Sequence, residues 1–161
     1  MFKFLKRKEA DNNLYAPVNG TCIQLDDVAD NVFSSRMMGD GAAFQLKDGI
    51  VCAPCDGKIV MVAETKHAFG LEANNGLEVL IHVGLDTVNL NGQGLKVLRK
   101  QGDSVKKGDP VIEVDMDFMK NQGIDLTTPM IVTNGNDFRL TISHIGDKVT
   151  IGEEAIITKE D

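Results

Sequence analysis

Apolar residues in this chain come in short runs, not in helical stripes. Ile59-Val60-Met61-Val62-Ala63, Val79-Leu80-Ile81, Pro110-Val111-Ile112 and Ala155-Ile156-Ile157 are each bounded by Gly, Asp or Asn, the punctuation of strands joined by turns. From Leu14 onward this pattern predicts an all-β fold, an antiparallel β-sandwich or barrel with short helical turns. Gly102-Asp103-Ser104-Val105-Lys106-Lys107-Gly108-Asp109 is echoed by Gly146-Asp147-Lys148-Val149-Thr150-Ile151-Gly152-Glu153, which reads as two equivalent hairpins. Between them, Met116, Met119 and Lys120 follow helical spacing and predict a short helical turn within Asp115 to Gln122.

The most informative stretch runs from residue 58 to 92. In Leu77 to Asp86 the odd positions Leu77, Val79, Ile81, Val83 and Leu85 are apolar, whereas the even ones include Glu78, His82, Gly84 and Asp86. Strand residues alternate faces, so the odd set belongs to the core and His82 to the opposite, accessible face. On the preceding strand, Ile59, Met61 and Ala63 share a parity with Thr65 and His67, which puts the last two on one face near that strand's end. A loop from Ala68 to Asn75 is long enough to bring the chain back antiparallel and set the two histidines side by side.

Adjacent imidazoles suit several chemistries. A neutral imidazole nitrogen is a nucleophile near neutral pH, and a neighbouring N–H or hydroxyl can stabilise a transferring phosphoryl group. Zinc would want three or four ligands, with only Asp86 or Glu78 nearby as a third. Both rings could also simply bond backbone carbonyls. Spacing alone leaves all three open.

Composition narrows the setting. At 161 residues and 42% hydrophobic the chain fits one globular body. A formal charge of −7 argues against nucleic acid, which rewards a basic face, and favours partners with basic surfaces. The cysteines Cys22, Cys52 and Cys55 are odd in number, and there is no signal peptide or spanning apolar stretch, so the expected compartment is the reducing cytoplasm. Cys52-Ala-Pro-Cys55 has the spacing of a redox or metal half-site but runs into an Asp56-Gly57 turn without a second ligand pair; it reads as structural. His144 likewise reads as structural. Residues 1–13 form a separate, flexible segment in which Phe2, Phe4 and Leu5 alternate with Lys3, Lys6, Arg7 and Lys8; residues 1–8 could touch an anionic membrane surface weakly, or be a solvated tail.

Several motifs then go further than parity. Ala16-Pro17-Val18-Asn19-Gly20, Phe33-Ser34-Ser35-Arg36-Met37-Met38-Gly39-Asp40-Gly41, Ala53-Pro54-Cys55-Asp56-Gly57, Glu64-Thr65-Lys66-His67-Ala68-Phe69 and Ile81-His82-Val83-Gly84-Leu85-Asp86-Thr87-Val88 together resemble the glucose-family enzyme IIA of the bacterial phosphoenolpyruvate:sugar phosphotransferase system, over residues 14–161. The resemblance implies that His82 takes a phosphoryl group on Nε2 from phosphorylated HPr and passes it to the IIB domain of a sugar permease. It implies that His67 bonds the phosphoryl oxygens, that Thr65 orients His67, and that His82 Nδ1–H meets a nearby carbonyl such as that of Gly84. Asp30 and Asp86 match rim carboxylates; Val32, Phe33, Met37, Met38 and Val88 match an apolar collar that docks partners. No cofactor is required, although a zinc ion shared by His67, His82 and a partner's carboxylate is a further expectation, as are regulatory targets. The expected location is cytoplasmic, at most peripheral to the membrane. One rival resemblance is to biotinyl and lipoyl carriers through the 102–109 hairpin, but Lys106-Lys107 and Lys148 lack the turn context of a modified lysine.

Overall fold

The computed structural model describes residues 11–160. The basic segment expected to reach the membrane, residues 1–8, lies outside them. Residues 11–13, assigned by sequence to that tail, already belong to the body: Lys159 N–H donates to the Asn12 carbonyl at 2.9 Å, and Asn13 pairs with Thr158.

Most of the regular backbone is strand, as the short apolar runs require. In chain order these are β1 (Asn13–Tyr15), β2 (Gly20–Gln24), β3 (Asp40–Leu46), β4 (Ile50–Cys52), β5 (Gly57–Val62), β6 (Ala68–Ala73) and β7 (Glu78–His82), followed by β8 (Leu95–Val97), β9 (Ser104–Val105), β10 (Pro110–Val114), β11 (Thr128–Val132), β12 (Arg139–Ile142), β13 (Lys148–Val149) and β14 (Ala155–Glu160). Two short helices interrupt them, α1 (Asn31–Ser34) and α2 (Met116–Asn121). The second fulfils the helical spacing of Met116 and Met119; Asp115 caps it by accepting from Phe118 N–H at 3.0 Å.

An eight-stranded antiparallel sheet, in the order β13-β2-β3-β11-β7-β6-β5-β9, forms one layer. Two three-stranded sheets, β1-β14-β12 and β4-β10-β8, form the other. The core between them takes alternate residues of each long strand, including Ala42 and Phe44, Phe69 and Leu71, Val79 and Ile81, and Met130 and Val132, against Val111, Ile112, Ile156 and Ile157. This is the expected antiparallel sandwich.

The layers are built from two related halves. Tyr15 N–H donates to the Pro54 carbonyl at 2.8 Å while Cys52 N–H donates to that of Pro17 at 2.7 Å. Gly146 N–H reaches the Cys22 carbonyl at 2.7 Å, and Gly102 N–H the Ile59 carbonyl at 2.8 Å. Ala16-Pro17-Val18-Asn19-Gly20 therefore plays the part of Ala53-Pro54-Cys55-Asp56-Gly57. One half, β4 to β10, is continuous and is inserted in the sequence between β3 and β11 of the other, which pair directly with each other. The echo at 102 and 146 is part of this duplication, but its members are not hairpins. β9 pairs with β5 and β13 with β2, at opposite edges of the large sheet, and each then turns into the central strand of a three-stranded sheet.

The halves differ between their second and third strands. The β5–β6 connection is a tight turn, residues 63–67, whereas the β2–β3 connection, residues 25–39, carries a 3-10 turn (Leu25–Asp27) and α1. The longer insert lies on the outer face of the sheet, where Leu25, Val28 and Phe33 bury against Ala43, Leu85 and Ile131. Arg36, in a left-handed conformation (φ 62°), ties the two ends of this insert by pairing with Asp26 and with Asp40. These groups are solvent-exposed, so the pairs contribute at most about 1 kcal/mol each. Burial of Phe33 and Leu25, on the order of 2 kcal/mol apiece, is what holds the insert down.

Candidate functional site

His82 ends β7 on the outer face of the large sheet, with Ile81 and Val83 turned into the core on either side. The alternation holds to Val83 and then breaks. Gly84 has φ +76°, which reverses the chain and sends Leu85 into the small outer cluster with Phe33, not into the main core. His82 is half-buried, less open than parity alone suggests, because Phe33 covers it: the two rings lie 5.0 Å apart between centroids, inclined at 58°.

His67 reaches the site by a different route from the one its parity implied. A bulge in β5 between Ile59 and Met61 breaks the period-2 count, leaving Met61 partly exposed, and the strand ends at Val62. The residues from Ala68 to Ala73, expected as a loop, form β6, paired on both edges. His67 sits at the end of the turn, immediately before β6. Ala68 is the cross-strand partner of His82, and Val83 N–H donates to the His67 carbonyl at 2.6 Å. That register places the rings 4.8 Å apart, edge to face at 74°. Lys66, in a left-handed conformation (φ 65°), makes the turn tight enough for Thr65 Oγ1 to lie 2.6 Å from His67 Nδ1.

The hydrogen bonds restrict the protonation states. A carbonyl can only accept, so the 2.8 Å contact between His82 Nδ1 and the Gly84 oxygen fixes the proton on Nδ1 in the neutral ring and leaves the Nε2 lone pair free. Burial lowers the pKa of His82 below 6.5, opposed by the Gly84 bond and the charges of Asp30 and Asp86. His67, only 9% exposed, is lowered by burial first and by His82 second, against a hydrogen bond to the Thr65 backbone. Both rings are therefore held neutral at physiological pH.

The other residues expected at the site divide into covered and open. Asp30 caps α1, accepting from Val32 N–H at 2.9 Å. Phe33 is 4% exposed and meets the imidazole, not solvent. Val32, Met38 and Val88 are partly exposed, and Met37 is 79% exposed, which excludes core filling as the role of these methionines. Asp86 carries its carboxylate from a left-handed turn (φ 59°) after Gly84.

Parity reasoning passed over two residues behind the site. Thr128 is fully buried in the run Thr128–Val132, and Asp125 sits just before it. A lone hydroxyl in an apolar strand was the available signal, since a buried polar group must find a partner.

The remaining candidates are structural. Cys22, Cys52 and Cys55 are free and buried; burial pushes the Cys52 thiol up to about 11 and the Cys55 thiol up to about 12, so neither forms a thiolate readily. His144 Nδ1 lies 3.0 Å from Asp147 in an exposed turn. Among the described residues no helix is long and apolar enough to cross a membrane.

Residues 12–138 match the family described as phosphoenolpyruvate-dependent sugar phosphotransferase system, EIIA 1. Over 98% of its length the chain is 43% identical to a glucose-specific EIIA component of Staphylococcus epidermidis, covering 97% of that protein. It is 44% identical to part of a glucoside-specific EIICBA component of Staphylococcus carnosus, where it spans 21% of the longer chain. Among solved structures, the glucose permease IIA from Mycoplasma capricolum superposes with a TM-score of 0.84 at 38% identity, over 98% of this chain and 99% of that one.

Proposed function

The chain belongs to the phosphoenolpyruvate-dependent sugar phosphotransferase system EIIA 1 family, and on that premise we propose that it carries a phosphoryl group on His82 Nε2 between phosphorylated HPr and the IIB domain of a glucose-type sugar permease. The observation that carries the reading is the Gly84 carbonyl on His82 Nδ1. With Nδ1 holding the proton, Nε2 is the nucleophile. Its lone pair forms the new P–N bond as the donor's bond to phosphorus breaks, and the proton stays between Nδ1 and Gly84, spreading the positive charge that develops on the ring.

His67 supplies the electrostatic part. If Thr65 donates its hydroxyl proton to His67 Nδ1, the His67 proton resides on Nε2 and can bond the phosphoryl oxygens in the loose, anionic transition state. Asp30 and Asp86, at the rim, would attract the basic surface of a donor. Val32, Met37, Met38 and Val88 offer apolar area to both partners. Relatives in which this domain is joined to other components of the permease, as the EIICBA name states, support a IIB domain as acceptor. The location that follows is cytoplasmic, where HPr is met.

Zinc shared with a partner is a second use of the same pair. Among the described residues no group of three His, Cys, Asp or Glu could hold a metal, so a partner's residue would have to complete the shell.

Incubation with phosphoenolpyruvate, enzyme I and HPr, followed by peptide mapping, should find acid-labile phosphate on His82. His82→Ala should take up none; a phosphoryl mass shift on that variant would overturn the assignment. His67→Gln is expected to accept phosphate but pass it on at least tenfold more slowly, the loss of about one charge-assisted hydrogen bond.

A further inference from the structure

The Gly84 carbonyl can select the tautomer of His82 only if its own peptide is held still. Several polar groups of that turn are engaged by neighbouring segments. Val83 N–H donates to the His67 carbonyl at 2.6 Å and the Val83 carbonyl accepts from Thr87 Oγ1 at 2.6 Å. Gly84 N–H points at Thr128 Oγ1, 3.4 Å away, and Leu85 N–H donates to the Asp125 carbonyl at 2.8 Å. The last bond is decisive, because Gly84 C=O and Leu85 N–H belong to one planar trans peptide and point in opposite directions. Anchoring the N–H on Asp125 therefore aims the carbonyl at His82.

Two side chains organise that anchor. Asp125 folds the segment before β11 by accepting from Thr127 N–H at 2.9 Å and from Thr127 Oγ1 at 2.7 Å, a local turn that fixes where its own carbonyl lies. Thr128 Oγ1 donates to the Leu126 carbonyl at 2.9 Å and so presents its lone pair to Gly84 N–H. Thr128 is fully buried, and no described buried side-chain nitrogen or oxygen lacks a partner.

We propose that Thr128 and Asp125 are positioning residues for phosphoryl transfer, holding the Gly84 peptide so that His82 keeps its proton on Nδ1 and its lone pair on Nε2. This rests on His82 being the nucleophile, as proposed above, but the tautomer can be read without any transfer.

The full chain labelled with 15N-histidine gives the His82 ring shifts at a pH where the ring is neutral. The unsubstituted protein should show the Nδ1–H tautomer alone. Thr128→Val, which removes the hydroxyl at nearly constant volume, should populate the Nε2–H tautomer and slow phosphoryl uptake from phosphorylated HPr about tenfold, the change one lost hydrogen bond carries. Thr128→Ser should restore both. Asp125→Ala, at an exposed side chain, should reproduce the tautomer change even if the valine variant fails to fold. A folded Thr128→Val or Asp125→Ala protein that melts earlier yet keeps the original ring shifts and uptake rate would overturn the proposal, as would an Nε2–H tautomer in the unsubstituted protein. If the unsubstituted chain accepts no phosphate while the tautomer still responds to Thr128→Val, the carrier reading fails and only the hold on the His82 tautomer stands.

Discussion

Replacing Phe33 with Ala should separate what the insert contributes to stability from what it contributes to chemistry. The ring is 4% exposed, stacked 5.0 Å from His82 and packed with Leu25, Val28 and Ile131 on the outer face of the sheet. Deleting a buried phenyl costs about 3–5 kcal/mol when the cavity cannot close. Here the cluster is small and borders solvent, so the low end applies, about 3 kcal/mol, or roughly 6–12 °C in melting temperature for a chain of this size. The variant should remain folded, because the main core lies on the other side of the sheet. The electrostatic consequence is separate: burial is the largest cause of the lowered His82 pKa, and opening that face readmits water to the imidazole. His82 should then titrate closer to 6.5. Denaturant unfolding and NMR titration of His82 measure both effects on one sample. A loss below about 1 kcal/mol, or an unmoved His82 titration in a clearly destabilised variant, would refute the account of Phe33 as the group that keeps this imidazole dry.

Other expectations concern the turn and the acid limb. At Gly84 an added Cβ would lie 2.6 Å from Thr87 Cγ2 and 3.1 Å from the Asp125 oxygen, in a conformation that costs an L-residue about 1 kcal/mol before any clash. Gly84→Ala should therefore lose on the order of 2–3 kcal/mol and the Nδ1 hydrogen bond together; equal denaturation midpoints for variant and parent would count against it. Because both histidines are held below 6.5 when folded, the unfolded chain binds more protons as pH falls through that value. Stability should decline on acidification there and level off once the folded histidines protonate too. A His67→Gln, His82→Gln double variant should lack that component; an unchanged stability difference between pH 7.5 and 5.5 would contradict the burial argument. By the same reasoning phosphoryl acceptance should persist somewhat below pH 6.5, tested by initial uptake rates across that range.

Much of the molecule was legible from residue order alone. Short apolar runs between turn residues specified an antiparallel sandwich, period-2 alternation put His82 opposite the core, and Met116 and Met119 marked α2. The motifs around His67, His82 and Phe33 pointed to the family that the full-length relatives establish. These are local properties: a pleat has a fixed period, and a motif carries its own residue types.

Long-range pairing was needed for the rest. The bulge at Met61 spoiled the parity argument for Thr65 and His67, and what brought the histidines together was the register of β6 against β7, which makes Ala68 the neighbour of His82. The duplication of the sheet puts Gly41 and Ile131 in the corresponding pair, yet no site forms there, because the insert of residues 25–39 covers that part of the face with Leu25 and Val28. Its last apolar anchor, Phe33, reaches across to His82. Residue order could not put Asp125 and Thr128 behind the Gly84 peptide, which lies 44 residues before Thr128. Which surface stays open, which imidazole is dry and which carbonyl meets Nδ1 all depend on contacts between segments distant in sequence, and such contacts exist only once the chain has packed.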